Sequence, residues 1–141
     1  MPDSVQGSAR FTDLTPRFVF SSTVVASPTD ATETIIGSVT LPSGLVINAG
    51  VVLGGWAAYT FGGTPTSCRL RIRRTNVAGT VVADTGAVSA GHTTANALAA
   101  DDVNGVDTSP GDGQIYKLTL TVAGASSGST VSGVLLFAVA V

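Results

Sequence analysis

Residues 67–74 alternate between apolar and basic side chains with a period of two. The two interleaved sets are Cys68, Leu70 and Ile72, and Arg69, Arg71 and Arg73. Because successive side chains of a β-strand point to opposite faces, this pattern predicts a strand with one apolar and one basic face. Residues 51–61 predict a second strand, and the turn-forming residues 62–65 predict that the two strands form a hairpin.

Further strands are predicted on both sides of this hairpin. The clearest strand-like segments are residues 18–26, 33–41, 80–83, 115–123 and 130–141. Clusters of turn-forming residues separate them, and residues 45–47 form a short apolar step. Residues 88–93 predict a weak strand, followed by a long loop to residue 113. The pattern indicates an all-β fold: an antiparallel two-sheet sandwich, jelly-roll-like, with about eight strands.

The length of 141 residues fits one domain that buries its own core. Residues 18–141 are predicted to form a single β-sandwich domain. Residues 1–17 are polar, lack strand alternation and end just after a Thr-Pro step, so we interpret them as an extended N-terminal arm. The arm is either a free tail or a segment that docks on a partner. Phe11 and Leu14 are the residues that could anchor it.

The composition argues against several classes of partner. Charged residues make up 11% of the chain, against about 25% in typical proteins, and the net charge is −2. This balance argues against capture of nucleic acid or of an anionic membrane. The longest apolar run, residues 134–141, is far shorter than the ~20 residues of a membrane-spanning helix. The mean hydropathy of +0.43 therefore predicts apolar contacts between subunits. No secretory signal pattern opens the chain, so we expect synthesis inside the cell.

Few residues could support catalysis or bind a metal ion. His92 is the only histidine and Cys68 the only cysteine, which excludes a site built on several thiolates or histidines. No serine lies in a nucleophile-elbow motif, so we expect no enzyme activity and no cofactor. We interpret Cys68 as a small core residue. The aspartates between Asp101 and Asp112 fit a Ca²⁺ loop poorly at both ends, and a solvated turn is the favoured interpretation.

The basic row of Arg69, Arg71 and Arg73 allows three interpretations. The row could be a solvated face with cross-strand partners such as Asp84 or Glu33. It could instead contact an acidic patch on a protein partner, because arginine forks suit carboxylates. It could also bind a nucleic acid strand, which the negative net charge disfavours.

The last predicted strand is apolar on both faces. One face is expected to cover the core and the other to meet a neighbouring subunit. The alternative is a strand buried on both sides within one monomer. Aromatic residues carry much of the binding energy of interfaces. The residues predicted to line a subunit interface are Trp56, Tyr59, Leu135, Phe137 and Val139.

Several phrases together resemble the small jelly-roll structural proteins of tailed bacteriophages. They are ETIIGSVTLPSG at residues 33–44, AAYTF at 57–61, CRLRIRRT at 68–75, GTVVADTG at 79–86 and YKLTLTV at 116–122. The resemblance covers residues 18–141 and leaves the arm outside it. It implies a structural virion protein of the capsid decoration, cement or head-fibre type.

Under this resemblance we expect a homotrimer that binds the major capsid protein on the capsid exterior, after synthesis in the host cytoplasm. The arm residues expected to contact the shell are Pro2, Arg10, Phe11, Leu14 and Arg17. One alternative is a trimeric tail-tip or fibre head that binds a host receptor or glycan. Such a site would favour exposed aromatic side chains flanked by carboxylates and amides. Another alternative is a non-viral jelly-roll domain of the trimeric cytokine or complement type.

Overall fold

The computed structural model describes residues 19–26, 31–63, 65–88, 98–124 and 130–139. Within these ranges the chain forms eight β-strands, and none of it forms a helix that could cross a membrane. The strands are β1 (Val19–Ala26), β2 (Thr34–Thr40), β3 (Val51–Thr60), β4 (Ser67–Arg74), β5 (Val81–Asp84), β6 (Leu98–Asp107), β7 (Ile115–Ala123) and β8 (Thr130–Val139).

The strands form two four-stranded antiparallel sheets. The first sheet has the order β1-β8-β3-β6, and the second sheet has the order β2-β7-β4-β5. β1 pairs with β8, β2 with β7, β3 with β6 and β4 with β5, so the chain folds as one long ribbon of paired strands. Two further pairs, β3 with β8 and β4 with β7, join neighbouring parts of this ribbon into sheets. This is a jelly-roll arrangement, and the predicted fold class is confirmed.

Alternation along the strands decides which side chains fill the space between the sheets. In β3 the buried positions include Val51, Leu53, Ala57 and Tyr59, while Val52 and Trp56 between them are exposed. In β4 the buried positions are Cys68, Leu70 and Ile72, as the sequence predicts. Each large side chain buried in this way stabilises the fold by roughly 1.5–3 kcal/mol. The core between the sheets is therefore the main source of stability.

β3 and β4 do not form the predicted hairpin. β3 lies in the first sheet and β4 in the second, so the chain crosses from one sheet to the other between them. Each strand has an apolar face that the opposite sheet must cover. This pattern is the same whether β3 and β4 are neighbours in one sheet or lie in opposite sheets. The turn-forming residues were identified correctly, but the pairing was wrong.

The long loop predicted before residue 113 is also wrong, because it contains β6. The inward positions of β6 include Ala99, Asp101 and Gly105, which are small or polar, and hydrophobic periodicity is correspondingly weak. β6 forms because all ten of its residues pair with β3. The weak strand predicted at residues 88–93 is represented by one bridge between Cys68 and Val88, and residues 89–97 lie outside the described ranges.

The two sheets approach each other closely where β8 passes over β2. A Cβ atom added to Gly133 would lie 2.3 Å from the carbonyl oxygen of Ile36. One added to Gly37 would lie 3.3 Å from the Cβ atom of Leu135. A carbon atom cannot occupy a position 2.3 Å from a backbone oxygen, so Gly133 is required for this contact between the sheets.

We expect Gly133→Ala to destabilise the fold by about 1–3 kcal/mol, because the new methyl group forces the sheets apart. The free energy of unfolding in urea, followed by circular dichroism, measures this loss. Gly54→Ala is the matched control on the same sheet, since its added Cβ would meet only movable side chains of Asn104 and Leu136 at 3.3 Å. Equal losses in the two variants would contradict the close-contact argument.

Candidate functional site

The outward faces of the two sheets differ in chemical character. We call the outward side of the second sheet the charged face; its ionisable side chains are Arg69, Arg71, Arg73, Asp84 and Lys117, beside Glu33 just before β2. We call the outward side of the first sheet the apolar face; its exposed large side chains are Val52, Trp56, Leu98, Val106 and Leu136. The same period-two alternation that builds the core therefore also builds two unlike surfaces.

The arginines of the charged face pair with carboxylates of the same chain. Arg69 donates two hydrogen bonds to Asp84, from Nε to Oδ1 at 2.8 Å and from Nη2 to Oδ2 at 2.6 Å. Arg71 lies between two carboxylates, with Nε 3.2 Å from Oδ2 of Asp84 and Nη1 3.2 Å from Oε2 of Glu33. Arg73 holds Glu33 from the other side through two bonds of 2.6 and 2.9 Å.

We call these ion pairs of the charged face the ladder. They confirm the predicted cross-strand partners Asp84 and Glu33. The contact with an acidic protein partner, predicted as a second interpretation for Arg69, Arg71 and Arg73, stays a prediction. The intramolecular pairs already compensate much of the arginine charge. The pair of Arg69 and Asp84 is the more exposed one, with side chains 40% and 25% exposed, and such a surface pair contributes only about 0–1 kcal/mol. Arg71, Arg73 and Glu33 are 15–17% exposed, and with Lys117 beside the three arginines the face keeps an excess of positive charge.

The pKa values of both carboxyl groups respond to these arginines. Burial alone would raise the pKa of Glu33, but hydrogen bonds from Arg73 and Thr119 and the nearby arginine charges outweigh it and lower the pKa. The pKa of Asp84 lies far below its usual range, chiefly because Arg69 donates to it, with further help from the Gly86 amide. Both groups therefore stay ionised at neutral and mildly acidic pH.

A second ion pair joins the two sheets. Arg74 at the end of β4 donates to Asp107 at the end of β6, through Nε at 2.8 Å and also through Nη2. The hydroxyl of Tyr116 on β7 donates to the same carboxylate at 2.8 Å, and the Ser109 amide donates at 3.0 Å. The Asp107 side chain is only 1% exposed. Its charge is thus buried and fully hydrogen-bonded, and it ties β6 to the second sheet.

We call Arg74 and Asp107, together with Tyr116 and Ser109, the clamp between the sheets. Sequence reasoning missed this clamp. One signal was present, because Arg73 and Arg74 are consecutive and cannot both point to the outward face of a regular strand. Burial alone would raise the pKa of Asp107, yet Arg74, the Ser109 amide and Tyr116 together lower it. The clamp is a structural feature, since its groups are saturated by one another.

The apolar face includes one row of side chains that is apolar across three strands. Val52 on β3 lies opposite Val106 on β6 and Ala138 on β8. Trp56, four residues further along β3, lies opposite Val134 on β8. The side chain of Trp56 is 46% exposed and that of Val52 is 53% exposed. This surface is a candidate site for contact with another protein.

The predicted subunit-interface residues are placed differently from expectation. Tyr59, Leu135, Phe137 and Val139 are at most 2% exposed, so they belong to the core of the monomer and are not available to a subunit surface. Trp56 alone of the five is exposed. Both faces of β8 are apolar, and the prediction assigned the wrong one to the outside. The arm residues Pro2, Arg10, Phe11, Leu14 and Arg17 lie outside the described ranges.

The residues predicted as possible ligands or nucleophiles are dispersed in the described part of the chain. No cluster of three or more metal-ligating side chains occurs in this part of the chain. Asp101 and Asp102 are consecutive residues of β6 and point to opposite faces, so the predicted turn at this position is wrong. Burial raises the pKa of the Cys68 thiol to about 12, which leaves it protonated and unreactive. His92 lies outside the described ranges.

Solved structures from infectious bursal disease virus share this fold. The T13 viral particle aligns with a TM-score of 0.59 at 15% identity, over 89% of this chain and 31% of the viral chain. The Gt strain structure aligns with a TM-score of 0.55 at 14% identity, over 89% and 33%. The VP2 subviral particle aligns with a TM-score of 0.52 at 14% identity, over the same shares. The chain thus spans about a third of the length of the viral chains that it matches.

Neither a protein-family model nor a curated protein matches the sequence. At 14–15% identity, the viral structures show the fold alone. The jelly-roll architecture is therefore the common property, and the function has to be argued from the surfaces of this chain.

We expect Asp107→Asn to destabilise the fold by about 2–3 kcal/mol, because the amide that replaces the buried carboxylate can accept fewer of the hydrogen bonds donated by Arg74, Tyr116 and the Ser109 amide. Asp84→Asn is the matched control and should cost at most about 1 kcal/mol, since the Asp84 side chain is 25% exposed. Urea unfolding of both variants at neutral pH measures the difference. A larger loss for Asp84→Asn would contradict the view that the buried pair between the sheets stabilises the fold more than the surface pairs of the second sheet.

The lowered pKa values of Glu33, Asp84 and Asp107 predict acid sensitivity. A carboxyl group with a lowered folded-state pKa adds stability that is complete above its unfolded pKa, here 3.8 to 4.5, and is lost as the pH falls through the folded pKa. We expect a flat contribution from pH 7 to about 5 and a progressive loss below about 4.5. Urea midpoints across this range test it. Asp107→Asn should make the decline shallower, and an unchanged slope in that variant would contradict the assignment of Asp107.

Proposed function

We propose that this chain is a structural protein of a virus particle. The observation that carries the proposal is the apolar face, where a folded domain exposes Val52, Trp56 and Val106 together. A contiguous exposed apolar surface of this kind is typical of a site of protein contact. The jelly-roll order supports the proposal, because viral capsid domains are among the proteins built on it. The likeness to the infectious bursal disease virus VP2 subviral particle agrees with it.

The finer proposal, which rests on the resemblance to phage proteins, is a capsid decoration or cement protein. Such a chain would be a homo-oligomer, a trimer under that resemblance, bound to the major capsid protein on the capsid exterior after synthesis in the host cytoplasm. Contacts made only in the assembled shell shift the equilibrium toward that shell. Many weak contacts repeated over one particle give a high combined avidity. The charged face, whose side chains stay ionised, suits a surface that stays in solvent.

A glycan-binding or receptor-binding head is the second candidate. One observation favours it, because the exposed ring of Trp56 lies opposite Asp102, and Asn104 donates a 2.9 Å hydrogen bond to that carboxylate. An aromatic platform beside a carboxylate and an amide combines the apolar surface and the oriented polar groups that small-ligand sites use. These groups lie on the outward side of a sheet, whereas small-ligand sites are usually clefts or cavities, and this favours the structural role.

Quantitative mass spectrometry of purified particles from the source of this sequence tests the proposal. For a decoration protein we expect a copy number comparable to that of the major shell protein, because repeated shell sites are occupied by symmetry. A few copies per particle would favour the tail-tip or fibre candidate. Complete absence from purified particles would overturn both virion roles.

The same particles allow the arm to be tested. We propose that residues 1–17 contact the shell, through Phe11 and Leu14 in particular. Deletion of residues 2–17 should then lower the copy number on the particle while the thermal unfolding of the purified chain stays unchanged. Unchanged occupancy would overturn the docking role of the arm and leave the virion role in place.

A further inference from the structure

We propose that a second copy of this chain covers the apolar face, so that two chains pair through the outward sides of their first sheets. The inference deepens the proposed function and rests on it, because it names the partner of the surface that carries that proposal. It also assigns the pairing residues: Val52, Trp56, Val106 and Leu136.

The charge of the face is the first argument for this occupant. Among the outward positions of β3, β6 and β8, Asp102 carries the only ionisable side chain, and the sequence of β1 contains none. A partner surface rich in charges would have to lose their hydration against this face without gaining opposite charges, which is costly. The complement of a nearly uncharged face is another nearly uncharged face. The apolar face of a second copy is such a surface, whereas the charged face is not.

The arrangement of the side chains is the second argument. Trp56 has Val134 beside it on β8. Val52, Val106 and Ala138 form a row across the sheet, and Val52 lies four residues before Trp56 on β3. Leu136 lies opposite Gly54, and its Cδ1 atom comes within 3.3 Å of the place where a Cβ atom of residue 54 would lie, between Val52 and Trp56. Interfaces commonly have an aromatic anchor surrounded by aliphatic contacts. A copy placed on this face would meet that pattern with the same pattern.

The area of the face is the third argument. Ten residues at about 3.3 Å each give a length of roughly 33 Å, and four strands about 4.8 Å apart give a width of roughly 19 Å. The flat projection is therefore about 600 Å², and the relief of the side chains raises the accessible area above that value. A standard stable interface buries about 800 Å² on each partner. The area of the first sheet is thus of the order that a stable pairing of two copies needs.

Packing one face on its own copy gives a two-fold contact, since the same patch lies on both sides. Two sheets pack face to face at a separation of about 10 Å with their strands rotated by about 30°. The resulting assembly has an even number of chains. This differs from the trimer that the phage resemblance implies, unless trimers are themselves paired.

Trp56 provides a direct probe, because it is the only tryptophan in the chain. We would measure the mass of the full-length chain by native mass spectrometry and sedimentation velocity from micromolar to near-millimolar concentration. Quenching of Trp56 fluorescence by acrylamide would be recorded in the same samples. We expect species of even number at high concentration and a quenching constant at least about twofold lower in them, because the exposed part of the ring becomes covered.

Two valine variants separate the face from the rest of the surface. Val52→Asp should weaken association by about tenfold or more, because the carboxylate would lose water at the centre of the contact. Val46→Asp is the matched control, since Val46 is 63% exposed in the connection between β2 and β3 and belongs to no strand of the first sheet. Val106→Asp repeats the test on β6, and circular dichroism checks that each variant is folded. Equal association of the Val52→Asp and Val46→Asp variants would overturn the inference.

The remaining outcomes are equally decisive. Trp56 protection that is independent of concentration and is lost on deletion of residues 2–17 would show that the arm covers the face, which overturns the pairing. A chain that stays monomeric, or forms trimers with Trp56 still open to acrylamide, would overturn it too. Presence in purified particles would keep the virion role in those cases. Pairing by a chain that is absent from particles would overturn the virion role and leave the pairing intact.

Discussion

The two backbone ladders of β3 are the interaction on which the rest of the structure depends. β3 pairs with β6 on one side and β8 on the other, each over ten residues and without a shift in register. Leu53, Phe137 and Gly105 therefore share one row, and every inward position of the three strands faces the second sheet. A slip of one residue would exchange the core with the apolar face, because the side-chain period is two. The register of β3 thus decides both what is buried and what is displayed.

The unequal distribution of charge follows from the same geometry. Arg69 and Arg73 lie outward on β4, and Asp84 and Glu33 reach them from β5 and from the segment before β2. Arg74 leaves this row and pairs with Asp107 between the sheets. Since only 11% of the residues are charged, these pairs use a large part of the supply. The first sheet is left with an outward surface that water solvates poorly, and this is the physical reason to look there for a partner.

Much of the fold could be predicted because β4 and β7 alternate clearly between apolar and polar residues. The observed β7 has the predicted bounds, Ile115–Ala123, and Cys68, Leu70 and Ile72 are buried as predicted. Two kinds of information were missing from the sequence. β6 could not be recognised, because its inward positions hold small or polar residues and pairing with β3 alone makes it a strand. The outward face of β8 could not be chosen, because Leu135 and Leu136 are chemically alike and only the register with β3 distinguishes them.

The clamp between the sheets connects the stability of the domain to its proposed assembly. β6 contributes few large apolar side chains to the core, so other contacts have to hold it in place. One is the buried pair of Asp107 and Arg74, and another is the close approach of Gly105 to Ala83, where an added Cβ would lie 2.7 Å from the Cβ of Ala83. Val106 lies between these two fixed positions and must point outward. A buried ion pair is a weak source of stability but a strong constraint on geometry. Its main effect here is to keep the edge of the apolar face in register with β3, where a second sheet can pack on it.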